Sequence, residues 1–240
     1  MIQLFTDQVR ETDKDGWRWY RGSDQKPRIS VTKVLDGMKP ERLQQWIAKT
    51  DFSVQEKKKS ESASLGTKIH SAIENILKGD YALEAWNKDE EFEEIKWAAE
   101  EFLKWKGAQP GFEIQAVEGC AASDLGYAGT YDFVAGGTLF DIKTGRTSIT
   151  AGYQLAAYRF ALERAGVELR GMAVLNISVR DHSVKQFDYT HYDFCLQRFL
   201  SIFEGWKGLN YRKLDAMKYE NLHQFSPSLV FNKEGNRRAS

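Results

Sequence analysis

Gly129-Thr130-Tyr131-Asp132-Phe133-Val134-Ala135-Gly136-Gly137-Thr138-Leu139-Phe140-Asp141-Ile142-Lys143 is the stretch on which the fold of this chain turns. Two largely apolar runs flank a Gly-Gly pair. A two-residue loop between strands needs positive φ at its centre, which glycine supplies at little steric cost. A tight hairpin is therefore expected, with strands over 127–135 and 138–143. The turn sets the register: Ala135 opposite Thr138, Val134 opposite Leu139, Phe133 opposite Phe140, and Asp132 opposite Asp141. The two carboxylates then face each other across the strands, with Cβ atoms about 4.5–5.5 Å apart. Alternation places Lys143 on the face of Asp141, beside Val134 and Leu139. It places Tyr131, Phe133, Phe140 and Ile142 on the other face.

Both faces are apolar around the acids. Opposed like charges destabilise a hairpin, and a buried carboxylate without a partner costs more still. A divalent cation with oxygen ligands resolves the conflict, and Mg²⁺ and Mn²⁺ prefer such ligands. Lys143 supplies part of the positive charge. The competing reading is a structural Asp–Lys pair with the other aspartate in a turn.

Working outward, residues 112–118 read as a strand before the hairpin, ended by Glu118. A helix follows over about 150–165, stopped by Gly166, then strands at 171–179 and 184–190 around a turn at Arg180-Asp181-His182. A final helix covers about 192–208, and the polar tail reads as loosely held. Upstream, a helix over 64–78 carries the stripe Leu65, Ile69, Ala72, Ile73 and Ile76 and ends at Gly79. A second, over 89–106, buries Phe92, Ile95, Ala99, Phe102 and Leu103 before Gln109-Pro110-Gly111 breaks it. Residues 51–63 are polar and read as a mobile connection. A helix is expected near 40–50, and a hairpin of 2–10 with 17–20 around Asp13-Lys14-Asp15-Gly16. The order predicts an α/β (α+β) fold, a small mixed central β-sheet flanked by helices. One domain spans 1–240, with an elaboration over 1–60, a core over 64–190, and a C-terminal helix and tail over 191–240.

With 42% hydrophobic residues, the chain can build a real core, so disorder is not expected. Its formal net charge is zero, so nucleic-acid binding must rest on local patches such as Arg18, Arg21, Lys26 and Arg28, or Lys57, Lys58 and Lys59. The plainer reading of each single patch is solvated surface. Trp17, Trp19 and Tyr20 offer either a platform for unpaired bases or ordinary hairpin packing. Cys120 and Cys195 stand far apart, which disfavours a zinc ribbon and suits a reducing cytosol. No signal peptide and no membrane span is read, so a cytoplasmic location is expected. Walker and Rossmann glycine loops are missing from the sequence, which argues against ATP hydrolysis.

Three further places bear on the acids. His70 lies beside the stripe of the 64–78 helix, with Glu74 one turn on, where a cleft-lining residue would be. Gln154 and Tyr158 share a face of the helix after the hairpin. Glu118 ends an otherwise apolar inward row. Each has a plain structural reading: a half-buried histidine bonded to backbone, a chance spacing, a strand emerging into solvent.

Together these stretches resemble the PD-(D/E)XK nuclease superfamily in its RecB-like exonuclease branch. Gly66-Thr67-Lys68-Ile69-His70 with Glu74 resembles that branch's helical histidine motif, and Gly129-Thr130-Tyr131-Asp132 its first metal-binding aspartate. Asp141-Ile142-Lys143-Thr144-Gly145 resembles the D/E-x-K motif, and Gln154-Leu155-Ala156-Ala157-Tyr158 the Gln/Tyr motif. The four occur in the family's order and span Gly66 to Tyr158. The resemblance implies a restriction-endonuclease-like core and a Mg²⁺- or Mn²⁺-dependent DNA nuclease, an exonuclease in recombination, repair or replication. Its substrate would be linear DNA ends, single-stranded ones included, and it would work with a protein partner in recombination or replication. His70, Asp132, Asp141 and the carbonyl of Ile142 would bind the metal, with Glu118 a less certain ligand. Lys143 would orient water or stabilise the transition state, and Gln154 and Tyr158 would position DNA or Lys143. Some relatives carry four cysteines for an iron–sulfur cluster; this chain has two, so no cluster is expected. The alternatives are a structure-specific endonuclease using the same site and a non-catalytic DNA-binding module on the same fold.

Overall fold

A computed structural model describes residues 8–38, 52–83 and 86–217, with side chains in the second span from Ser64 onward. Its centre is the expected hairpin, β5 (Tyr127–Ala135) and β6 (Thr138–Lys143). Gly136 and Gly137 take φ of 55° and 77°, the left-handed conformation that such a turn demands. Phe133 faces Phe140, Val134 faces Leu139 and Ala135 faces Thr138, as the turn dictates.

Around it lies a mixed sheet of eight strands among the described residues, larger than the small sheet expected. β1 (Val9–Thr12), β2 (Arg18–Arg21) and β3 (Pro27–Ser30) form an antiparallel run, and β3 joins β5 in parallel. β4 (Ile114–Ala122) pairs antiparallel with β5. β6 continues in parallel to β7 (Gly171–Ser178), which β8 (Ser183–Asp188) completes antiparallel. The N-terminal elaboration is thus one wing of the sheet. β3 escaped the sequence reading because Pro27-Arg28-Ile29-Ser30 is too short to display alternation.

Helices cover both faces. On one side α1 (Val31–Leu35), α4 (Ile149–Arg164) and α5 (Tyr192–Leu209) pack in a cluster with Val134, Leu139 and Val174. On the other, α2 (Phe52–Leu77) and α3 (Phe92–Gly107) cover Phe133, Phe140, Ile142 and Leu175. Burying such faces against helices is the main driving force for the fold. None of the described helices is long and apolar enough to cross a membrane.

Several expectations are corrected. Residues 52–63 are the first turns of α2, not a loose connection: the run lacks an apolar stripe, but it also lacks Gly and Pro and is rich in Glu and Lys. β4 runs past Glu118 to Ala122, through a bulge between Ile114 and Ala116. In α3, Leu103 is 37% exposed while Ala98 takes the inward place. Tyr131 packs with the α4 side, not with Phe133, so alternation slips at Asp132, opposite Glu118 with its φ of 42°. The helix near 40–50 lies outside the described residues, as do residues 1–7 of the first hairpin.

The tail is not loose at its start. α6 (Tyr211–Ala216) follows α5, and its Leu214 is 0% exposed within the α4–α5 cluster. Leu214→Ala should lower unfolding stability by about 2–5 kcal/mol, the usual cost of emptying a buried leucine site. Urea denaturation checks this; an unchanged midpoint would mean that α6 is only peripherally attached.

Candidate active site

A strand has two hydrogen-bonding edges. Ala128 of β5 pairs with Ala122 of β4 and with Ser30 of β3, so β3 and β4 lie on opposite edges. β6 shares β3's edge but reaches only back to Phe133. Gly129 to Asp132 are therefore flanked by β4 on one side and by a fork between β3 and β6 on the other.

In the fork the expected pairing of Asp132 with Asp141 gives way. The β5–β6 ladder stops at Phe133–Phe140, and the Ile142 N–H donates instead to Asp132 Oδ2 at 2.5 Å. The side chain replaces a backbone acceptor, which lets the strands part and turns the carboxylate edge toward α2. There His70, next to the fully buried Ile69, places Nδ1 3.2 Å from Asp132 Oδ1.

Asp141 is reached from the other face. It is 4% exposed, and Gln154 of α4 donates from Nε2 to its Oδ1 at 3.0 Å. Lys143, two residues along β6, brings Nζ to 2.7 Å from Oδ2. Beyond that ammonium, this buried oxygen has no hydrogen-bond partner among the described residues. Burial pushes the Asp141 carboxyl up, and Lys143 only partly offsets it. Burial pulls Lys143 down, but Asp141 and then Asp132 outweigh it and hold the ammonium charged.

The structure thus brings His70, Asp132, Asp141, Ile142, Lys143 and Gln154 together. Gln154 acts on Asp141 and not on Lys143. Tyr158, 1% exposed, accepts a hydrogen bond from Gln154 Nε2 at 3.3 Å, so it supports that amide and is closed to DNA. Its ring occupies the space a Cβ at Gly129 would need, the reason for glycine there. Glu118 lies opposite Asp132 on β4 but shares no hydrogen bond with it. Its side chain is 53% exposed, lies 3.9 Å from Lys78 and shares a contact with Glu74, which with burial raises its carboxyl. No group of three or more His, Cys, Asp or Glu among the described residues forms a ready-made metal cage.

Sequence reasoning missed Asn176. It faces Lys143 across the β6–β7 ladder and donates to the carbonyls of Lys143 at 2.9 Å and Gly145 at 2.6 Å. Nothing in an isolated asparagine signals this, because the contact follows from a parallel pairing 33 residues away. Two N-terminal candidates are absorbed structurally. Arg28 pairs with Asp24 at 2.7 Å and Arg21 with Glu11 at 3.3 Å. Trp19 and Tyr20 are buried, and Trp17 is enclosed by Trp19, Trp206 and Lys213. The side chains of Lys57, Lys58 and Lys59 lie outside the described set.

No protein-family model matches the chain, and no curated protein matches it.

Burial pulls the His70 imidazolium toward deprotonation, but the Asp132 hydrogen bond and the charges of Asp132 and Asp141 win, so its pKa is raised above 6.5. A raised folded-state value adds stability that is complete below about 6.5 and is lost as pH climbs through the folded value. Metal-free protein should therefore lose stability over that window, and Asp132→Asn should remove most of the dependence. Histidine NMR titration alongside urea melts checks both; a His70 pKa below 6.5 would contradict the geometry.

Proposed function

We propose that the chain is a divalent-metal-dependent DNA nuclease that hydrolyses phosphodiester bonds, acting as an exonuclease in recombination, repair or replication. One observation carries the reading. Two aspartates from a parted hairpin meet a lysine on the same strand, a histidine from one helical layer and a glutamine from the other. A structural Asp–Lys pair needs neither the second acid nor the histidine.

The donor set fits Mg²⁺ or Mn²⁺: carboxylates of Asp132 and Asp141, the carbonyl of Ile142, and the imidazole of His70. The buried Asp141 Oδ2, held by one ammonium alone, is the oxygen with most to gain from a cation. Such an ion supplies phosphate polarisation and a lowered pKa for a bound water. Lys143, kept charged by both acids, would orient the attacking water and offset charge building on the phosphate. Gln154 keeps Asp141 aimed, and Tyr158 backs Gln154. No covalent intermediate is required.

End-labelled single- and double-stranded linear DNA and a covalently closed circle, each with Mg²⁺, Mn²⁺ or EDTA, test the reading. Linear DNA should be lost only with metal, and the circle should survive. Lys143→Ala and Asp132→Asn should each slow cleavage by about 10²–10³-fold or more. Cutting of the circle would replace exonuclease with endonuclease action. Folded, DNA-binding protein that cleaves nothing would overturn the proposal and leave a binding module.

A further inference from the structure

Beside the acids lies a cavity of about 750 Å³ that they do not themselves line. It begins where β6 ends. Its walls include Gly66 of α2, Glu94 of α3, Thr144 and Arg146 on the chain leaving β6, and Ser178 and Arg180 at the end of β7. Lys143 and Thr144 are consecutive, and the Asn176 hydrogen bonds to Lys143 and Gly145 fix the segment between site and cavity. A Cβ at Gly66 would lie 2.9 Å from Thr144 Oγ1, so glycine is what lets this segment approach α2 closely.

Two features of the lining point to a ligand. Arg146 and Arg180 are both exposed, and neither makes a hydrogen bond or ion pair among the described residues. Elsewhere in the sheet and helices Arg21, Arg28, Arg159 and Arg164 each pair with an acid. Two free guanidinium groups on one recess suit phosphate oxygens, which they bind in bidentate fashion. The lining also holds two acids, Glu94 and Asp181; Asp181 Oδ2 accepts from Ser178 Oγ at 2.9 Å. One turn beyond Glu94, Trp97 meets His182 edge-on with centroids 5.2 Å apart, an aromatic pair beside the recess on which a base can stack. The recess is walled by α2, α3 and the β7–β8 turn. Arginines for phosphates beside an aromatic pair for a base suit a strand whose bases are unpaired.

We propose that this groove binds single-stranded DNA, with Arg146 and Arg180 on successive phosphates of the strand that leads to the aspartates. Only the last clause rests on the nuclease reading. The strand-binding claim stands on the cavity and its free arginines.

The test is fluorescence anisotropy with a fluorescein-labelled oligothymidylate and a matching duplex, in EDTA so that no cleavage intervenes, over a range of salt. The double variant Arg146→Ala/Arg180→Ala should bind the oligothymidylate about tenfold or more weakly, and its log K against log salt slope should flatten by about 0.7 for each arginine. Duplex binding should change little. Arg212→Ala, on α6 beyond the opposite face of the sheet, controls for net charge and should behave as wild type. An unchanged slope and affinity in the double variant, or equal loss on duplex, or equal loss with Arg212→Ala, would overturn the proposal. The two readings separate cleanly. Wild-type protein that cleaves nothing, yet loses oligothymidylate binding in the double variant, sinks the nuclease and keeps the groove. Active protein whose double variant binds normally does the reverse.

Discussion

The hydrogen bond from the Ile142 amide to the Asp132 carboxylate governs the centre of this molecule. A backbone amide buried without an acceptor costs free energy comparable to a lost hydrogen bond, so strands normally part only where water or a side chain can replace the ladder. Here a side chain does so, and the consequences spread. The hairpin opens immediately after Phe133–Phe140, and Asp132 is turned toward α2. Asp141, on the partner strand, remains under α4. Two acids that simple pairing would set face to face are approached instead by different helical layers, each with its own partner.

The charges follow from that separation. Each carboxylate oxygen has a defined neighbour: His70 and Ile142 for Asp132, Gln154 and Lys143 for Asp141. Buried ion pairs contribute little net stability, because desolvation consumes most of the Coulomb gain. Asp141 illustrates this, since burial raises its carboxyl despite an ammonium at contact distance. A group held so unfavourably is more economically explained by function than by folding.

The sequence made the centre legible and the periphery less so. Gly136-Gly137 set the register as far as Phe133–Phe140, because positive φ at two consecutive positions admits few turns. Beyond that point alternation misled: it paired Asp132 with Asp141 and grouped Tyr131 with Phe133. Nothing in a residue string says that a side chain will replace the backbone as acceptor. The apolar stripe of α2 was readable through Ile69, Ala72, Ile73 and Ile76, while its polar first turns, which carry no stripe, were not. Gln154 and Tyr158 were found by spacing, yet their mutual bond and their hold on Asp141 depend on α4 crossing the sheet. Asn176 and Arg180 needed the parallel β6–β7 pairing, which no local pattern encodes.

That dependence on distant pairing explains why residues 8–30 belong with the site. One arm of the fork is β6, built into the hairpin. The other is β3, and without it the β5 edge from Tyr127 to Asp132 would be a bare ladder, prone to capture by β6 or by another chain. β3 covers that edge only at Tyr127 and Ala128, and β2 then brings the buried Tyr20 hydroxyl to 3.3 Å from Thr130 Oγ1. On the α4 side, Tyr158 fills the space above Gly129. Two tyrosines, Tyr20 of β2 and Tyr158 of α4, thus close around a strand segment whose backbone is left open on one edge. A fork so framed can hold Asp132 away from Asp141 with rigid elements on both arms, the requirement for side chains that must keep their places when a charged ligand arrives.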